Sequence, residues 1–261
     1  MSSLGFFDSD RPLVFAHRGG CALGPENTLA AFDLGLAAGA DGLELDVHLS
    51  SDGVAVVHHD ATLDRTTSGS GLVAAHTASA LARLDAGCRF EARGSFPFRN
   101  QGVGVPALAE VLARYPGVRL IIEMKVDSRE MGEAVARDVR RADALERVCV
   151  AGYGRRSAAA ARAALPGVAA SACHAEVRLA FYRGVARWPV RDVEYGVYQV
   201  PEYTGLLRIV SPRFIRDAHD AGLQVQVWTV DEEADMRRLL TWGVDGLISN
   251  RPDLAVQVVR S

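Results

Sequence analysis

The chain has 261 residues, 49% of them hydrophobic and 23% charged, with a formal net charge of −3. This is ordinary globular composition, with apolar mass for one large α/β domain or two small ones. With no basic stripe interleaved with aromatics, it argues against a nucleic-acid surface. No apolar run reaches the about 18 residues of a membrane span, and the opening MSSLGFFDSD lacks a basic leader and a signal-peptide core. The expectation is a cytoplasmic protein without stable membrane insertion. Cys21, Cys88, Cys149 and Cys173 lie far apart with no C-x-x-C pair, which argues against a zinc cage or a redox pair and for reduced packing thiols. Oligomeric state leaves no signature in the chain.

Apolar residues alternate along the chain between short runs and stretches of period 3.6. Leu13–His17 reads as a strand, followed by a helix striped by Leu29, Phe32 and Leu36; Gly42–Leu49 and Val54–His59 read as further strands. From Thr62 to Val105 the rhythm breaks into a Gly- and Pro-punctuated insertion with one short helix near Ser79–Leu84. The alternation then resumes. Helices are expected at Leu108–Arg114, Arg129–Arg141, Arg155–Ala164, Glu176–Arg187, Pro212–Ala221 and Glu232–Leu240, and a last one after Arg251-Pro252. Strands are expected at Leu120–Lys125, Val148–Tyr153, Ala170–His174, Val197–Val200, Val225–Val230 and Gly246–Ser249. Strand–helix alternation on this scale predicts a (β/α)8 TIM barrel with a small insertion after the second strand, one domain over residues 1–261 with the insertion at about 62–105.

Barrel active sites gather where strands meet the loops that follow them, and His17 sits at such a junction, followed by Arg18, Gly19 and Gly20. The glycines suit a close backbone approach to a ligand, or an ordinary strand-to-loop turn. Pro25-Glu26-Asn27-Thr28 reads as a helix start that Asn27 or Thr28 can cap. In the second strand Glu44, Asp46 and His48 share one face. Buried carboxylates need partners or a metal, and an all-oxygen set suits a divalent cation such as Mg²⁺, Ca²⁺ or Mn²⁺. Glu123 and Lys125 share one face in the same way, either as a third acid with a phosphate-binding cation or as an internal ion pair. Of the adjacent His58 and His59, a strand directs at most one toward the site. Packing is the expectation for His48, His58, His76, His174 and His219, and equally for Trp188 and Trp242. Trp228, near the end of the strand expected at Val225–Val230, either packs or walls a substrate pocket.

The strings HRGG, PENT, LELDV, SDGVAVVHHD, LDRTTSG, IIEMK, VWTV and GVDGLISNRPD, in this order and spacing from about Leu13 to Leu254, resemble the glycerophosphodiester phosphodiesterases. The resemblance implies a barrel that binds one divalent metal ion (Mg²⁺, Ca²⁺ or Mn²⁺) and hydrolyses a small-molecule glycerophosphodiester to glycerol 3-phosphate and an alcohol. It implies Glu44, Asp46 and Glu123 as metal ligands, His17 and His59 as the acid/base pair, and Arg18 and Lys125 as cations that hold the substrate phosphate. In that pattern the catalytic histidine directly precedes aspartate, which selects His59 over His58. The glycerol 2-hydroxyl is the implied nucleophile. Asn250 departs from the pattern, since many relatives carry aspartate there.

The chemistry of the residues agrees with what the resemblance implies, because a phosphodiester needs charge stabilisation on its non-bridging oxygens, a base for the nucleophile and an acid for the leaving alkoxide. Three other readings are weighed. A lysophospholipase D-type enzyme is close in chemistry, but no lipid-facing amphipathic helix favours it. A non-catalytic phosphate-binding barrel would have little use for both histidines and all three acids. The third is a different barrel enzyme, a metal-dependent sugar-phosphate isomerase or an aldolase, and an aldolase would have to use Lys125, the sole lysine in the chain, for its Schiff base.

Overall fold

The computed structural model describes residues 4–185, 188, 190, 191 and 193–261. The strands are β1 (Leu13–Ala16), β2 (Gly42–Leu49), β3 (Ala55–Val57), β4 (Arg119–Met124), β5 (Val148–Gly152), β6 (Ala169–Ala170), β7 (Val197–Pro201), β8 (Tyr203–Thr204), β9 (Leu207–Arg208), β10 (Gln224–Trp228) and β11 (Gly246–Ser249). The helices are α1 (Leu4–Phe7), α2 (Leu29–Ala37), α3 (Ala78–Leu81), α4 (Leu108–Arg114), α5 (Arg129–Arg141), α6 (Arg155–Ala164), α7 (His174–Val185), α8 (Pro212–Asp220), α9 (Glu233–Trp242) and α10 (Pro252–Arg260).

Eight strands pair in parallel in the order β6-β5-β4-β2-β1-β11-β10-β7. The ring closes through a parallel bridge between Ser171 and Val197, where Ala172 donates its N–H to the Val197 carbonyl. The expected (β/α)8 barrel is therefore the fold. Helix starts follow local chemistry: Thr28, Ser128 and Ser211 each accept a backbone N–H three residues on, and Pro212 stands in the first turn of α8, where its missing N–H costs nothing.

Side-chain alternation sorts the apolar residues into two cores. One, holding Val14, Leu43, Leu45, Leu120, Ile122, Val225 and Leu247, lies between strands and helices. The other fills the barrel with Leu13, Phe15, Ile121, Cys149, Ala169, Val197 and Ile248. Phe6 of α1, with its ring stacked 5.8 Å from Phe15, belongs to this inner core. Gly42 leaves room for the Phe15 ring, which a Cβ there would meet at 2.7 Å. The insertion carries a core of its own, in which Leu63, Val73, Leu81, Ala86 and Val105 pack with Val56 of β3.

Several boundaries differ from expectation. The strand expected at Val54–His59 is only β3, antiparallel to β2 and off the ring, so His58 and His59 lie in the loop beyond it. The strand expected to reach His174 stops at Ala170, because His174 opens α7. The expected end of that helix, Arg187, lies outside the described residues. Trp188 is not a packing residue: it is 71% exposed. Neither α1 nor the β8–β9 hairpin was anticipated, since each is too short to show a period. No helix among the described residues is long and apolar enough to cross a membrane.

Candidate active site

β1, β2 and β4 are consecutive in the ring in the order β4-β2-β1, and their inward residues near the C-terminal ends bring the expected acids together. Asp46 pairs in register with Glu123, and one carboxylate oxygen from each of Glu44, Asp46 and Glu123 falls within 4.8 Å of the others. Glu44 and Asp46 are buried, while Glu123 is half-buried. Burial, reinforced by the charges of Asp46 and Glu123, pushes the Glu44 carboxyl well above the usual carboxylate range. Burial acts the same way on Asp46, but Lys125 and Arg18 outweigh it and hold Asp46 below its ordinary value.

This donor set fits a divalent cation. One hard cation takes oxygen ligands at about 2.0–2.6 Å, so oxygens up to 4.8 Å apart can share one. Asp46 Oδ1 is buried without an aligned hydrogen bond, with the Lys125 Nζ ammonium 2.8 Å away.

The expected cations frame the acids. Lys125 Nζ lies 2.8 Å from Asp46 and 3.0 Å from Glu123. Arg18 donates its backbone N–H to Glu44 Oε2 at 2.9 Å, its guanidinium Nη1 to Glu26 at 2.9 Å, and places Nε 3.3 Å from Asp46. Its backbone adopts the left-handed conformation, φ 51°.

His17 Nε2 stands 3.8 Å from Glu44 Oε2, while Nδ1 bonds to Asn250 Oδ1 at 2.6 Å. Asn250 in turn donates Nδ2 to Asp231 Oδ2 and its backbone N–H to Asp231 Oδ1. That orients the amide with Oδ1 toward the imidazole, so the proton belongs on His17 Nδ1 and Nε2 is left as the accepting nitrogen. Burial pulls the His17 pKa below that of an ordinary imidazole, against the opposing Asn250 bond. His59 repeats the arrangement: its Nδ1 bonds to Asp60 Oδ1 at 2.6 Å. His58 is buried with Nε2 on the Thr62 carbonyl, and His48 Nε2 bonds to the His59 carbonyl. Trp228 ends β10 on the inward face shared with Gln226 and is 41% exposed, two strands round the rim from β1.

Some supporting residues take roles that the sequence leaves open. Asn27 does not cap α2; Thr28 does. Held at φ 58°, Asn27 instead donates Nδ2 to Asp46 Oδ2 at 2.8 Å and accepts the Asp46 N–H through Oδ1. Asparagine tolerates that left-handed conformation better than most residues, but nothing local announces it. Gly19 and Gly20 form the expected turn after β1, at φ 88° and 90°, and are also closely packed: a Cβ on Gly19 would meet Phe32 at 2.6 Å, and one on Gly20 would meet Pro252 at 2.9 Å.

The family model for the glycerophosphoryl diester phosphodiesterase family matches residues 17–254. The chain belongs to that family. It is accordingly an enzyme of the phosphodiesterase kind. It is 31% identical to a glycerophosphodiester phosphodiesterase of Caldanaerobacter subterraneus, over 96% of this chain and 98% of that one. Among solved structures, a family member from Agrobacterium tumefaciens is similar at TM-score 0.77 and 30% identity, covering 94% of this chain and 99% of that one. An Oleispira antarctica phosphodiesterase in complex with the product sn-glycerol-3-phosphate is similar at TM-score 0.80 and 25% identity, covering both chains fully.

Proposed function

We propose that this family member hydrolyses glycerophosphodiesters to glycerol 3-phosphate and an alcohol, with Glu44, Asp46 and Glu123 holding one divalent cation. The observation that carries the reading is the convergence of three carboxylates, two of them buried, with Arg18, Lys125 and His17 at one end of the barrel. A buried acid triplet is electrostatically costly without a cation, and a phosphodiester monoanion is the kind of ligand that the surrounding positive charge suits. The Oleispira neighbour with its bound product points to the same chemistry.

The bound cation would supply charge neutralisation at the non-bridging phosphate oxygens. Arg18 and Lys125 orient the phosphate from either side of Asp46, Arg18 through a planar fork that matches two oxygens at once. His17 and His59 each keep Nδ1 occupied, by Asn250 and by Asp60, so that Nε2 is the nitrogen that moves a proton. One takes the proton of the glycerol 2-hydroxyl as its oxygen bonds to phosphorus; the other protonates the departing alcohol as the ester P–O bond breaks. In the second half the roles reverse, and water opens the cyclic phosphate to give glycerol 3-phosphate. Trp228 walls the side of the mouth where the substrate's organic groups lie.

The test is release of glycerol 3-phosphate from glycerophosphocholine by the purified protein. Wild type should release it, and His17→Ala and His59→Ala should each lose about 10²-fold or more, the usual scale for general acid–base loss. Undiminished turnover in both variants would sink the assignment.

A further inference from the structure

The insertion delivers one side chain to this site, Arg65, and its contacts are out of proportion to an exposed surface arginine. Its guanidinium makes four contacts to two carboxylates: Nε to Asp60 Oδ2 at 2.7 Å, Nη2 to Asp60 Oδ1 at 3.1 Å, Nη1 to Glu26 Oε2 at 2.7 Å, and Nη2 to Glu26 Oε1 at 2.8 Å. The two oxygens that share Nη2 are the ones that reach the site. Asp60 Oδ1 takes His59 Nδ1 at 2.6 Å, and Glu26 Oε1 takes Arg18 Nη1 at 2.9 Å. Among the described residues Asp60 has no other side-chain hydrogen-bond partner, and it stands 28% exposed.

Resting on the function proposed above, we infer that Arg65 is a positioning residue that couples the two halves of the machinery, aligning His59 through Asp60 and Arg18 through Glu26. Whatever these pairs add to stability, their two shared oxygens are the ones that meet His59 and Arg18, which a purely stabilising surface network would not require. A planar guanidinium is needed because one nitrogen must bridge two carboxylates while its neighbours pin each from the side; an ammonium offers a single point charge. The Arg65 hydrogen bonds hold Asp60 well below the usual carboxylate range, so an acceptor faces His59 Nδ1 at every working pH. Burial tends to raise Glu26, but Arg65 and Arg18 outweigh it and keep it ionised. The insertion is thereby part of the active site.

The experiment is steady-state kinetics on glycerophosphocholine with Arg65→Ala, Arg65→Lys, Asp60→Asn and the Arg65→Ala/Asp60→Asn double variant. Loss of an orienting partner typically costs 10–100-fold. Arg65→Ala should fall in kcat by about that factor and rise several-fold in KM, because both branches are cut. Asp60→Asn should lower kcat with KM little changed. The double variant should be hardly slower than the worse single one, because both substitutions break the same link to His59. Methylguanidinium should restore part of the Arg65→Ala rate, and melting temperatures should stay within about 4 °C of wild type. Wild-type kcat and KM in Arg65→Ala, or losses that multiply in the double variant, would overturn the inference. If Arg65→Ala fails to fold, a folded Arg65→Lys with wild-type kcat does so instead. An inactive wild-type protein refutes the proposed function, whereas an active one indifferent to Arg65 refutes only this coupling.

Discussion

Replacing Asn250 by alanine removes the oxygen that fixes His17. The amide Oδ1 lies 2.6 Å from His17 Nδ1 and 2.7 Å from Cys21 Sγ, and Nδ2 satisfies Asp231 Oδ2 at 2.7 Å. Without it, a half-buried imidazole N–H and one carboxylate oxygen lose their partners, costing about 1–3 kcal/mol of stability. The Asp231 carboxylate keeps the Asn250 backbone N–H and the Ser249 hydroxyl on Oδ1, so the loop should stay in place. Freed to rotate and change tautomer, His17 should lose about 10–100-fold in kcat. The sign of the pH effect follows from the same contacts. Burial lowers the His17 pKa and the Asn250 bond raises it, so its removal leaves burial less opposed. A base works above its pKa, so the acidic limb of kcat/KM should move to lower pH in Asn250→Ala. In Asn250→Asp the anion favours the imidazolium, and the limb should move to higher pH with most of the rate kept. The assay is glycerol 3-phosphate release from about pH 5 to 9, beside thermal melts. Unchanged rate and profile in Asn250→Ala would refute the orienting role, and shifts of the same sign in both variants would refute the electrostatic argument.

Three further outcomes follow from the geometry. His58→Ala should keep kcat near wild type and lose stability, since His58 is buried on the Thr62 carbonyl; an inactive but fully stable variant would reverse the roles of His58 and His59. Phe6→Ala should cost about 3–5 kcal/mol by emptying a buried aromatic site against Phe15, with kcat unaltered because Phe6 lies among the inner-core residues rather than among the acids; the check is denaturant unfolding beside turnover. The 2-deoxy analogue of glycerophosphocholine should bind competitively yet turn over very poorly, because a tethered hydroxyl replaces the entropy cost of positioning water. Comparable turnover of the two substrates would mean that water attacks phosphorus directly.

The acids were legible because they violate a rule. Glu44, Asp46 and Glu123 sit at period-two positions where a barrel strand should be apolar, and that contradiction survives without any knowledge of loops. The strand–helix rhythm gave the barrel for the same reason. The supporting residues break no local rule. Asn27, Asp60 and Arg65 read as a helix start or loop polarity, and only the closed barrel brings Glu26 to Arg65 across 39 positions. Asp231 and Asn250 come from turns after neighbouring strands, 19 positions apart. Ser171-Ala172-Cys173 reads as strand because it is apolar and still pairs in part, with Ser171 bridging Val197, but regular β6 ends at Ala170 and α7 opens at His174. Residue type alone points Trp188 to packing, and it carries no information about where a loop leads, which here is into solvent.

The central claim is that the carboxylate triplet holds the cation on which hydrolysis depends, and metal removal tests it most directly. Protein stripped by exhaustive chelation and returned to chelator-treated buffer should release glycerol 3-phosphate at least about 10²-fold more slowly, since the cation contributes several kcal/mol of charge stabilisation. Mg²⁺, Mn²⁺ or Ca²⁺ should restore the rate in wild type and fail to do so in Glu44→Gln. Full activity in the stripped protein would contradict the account.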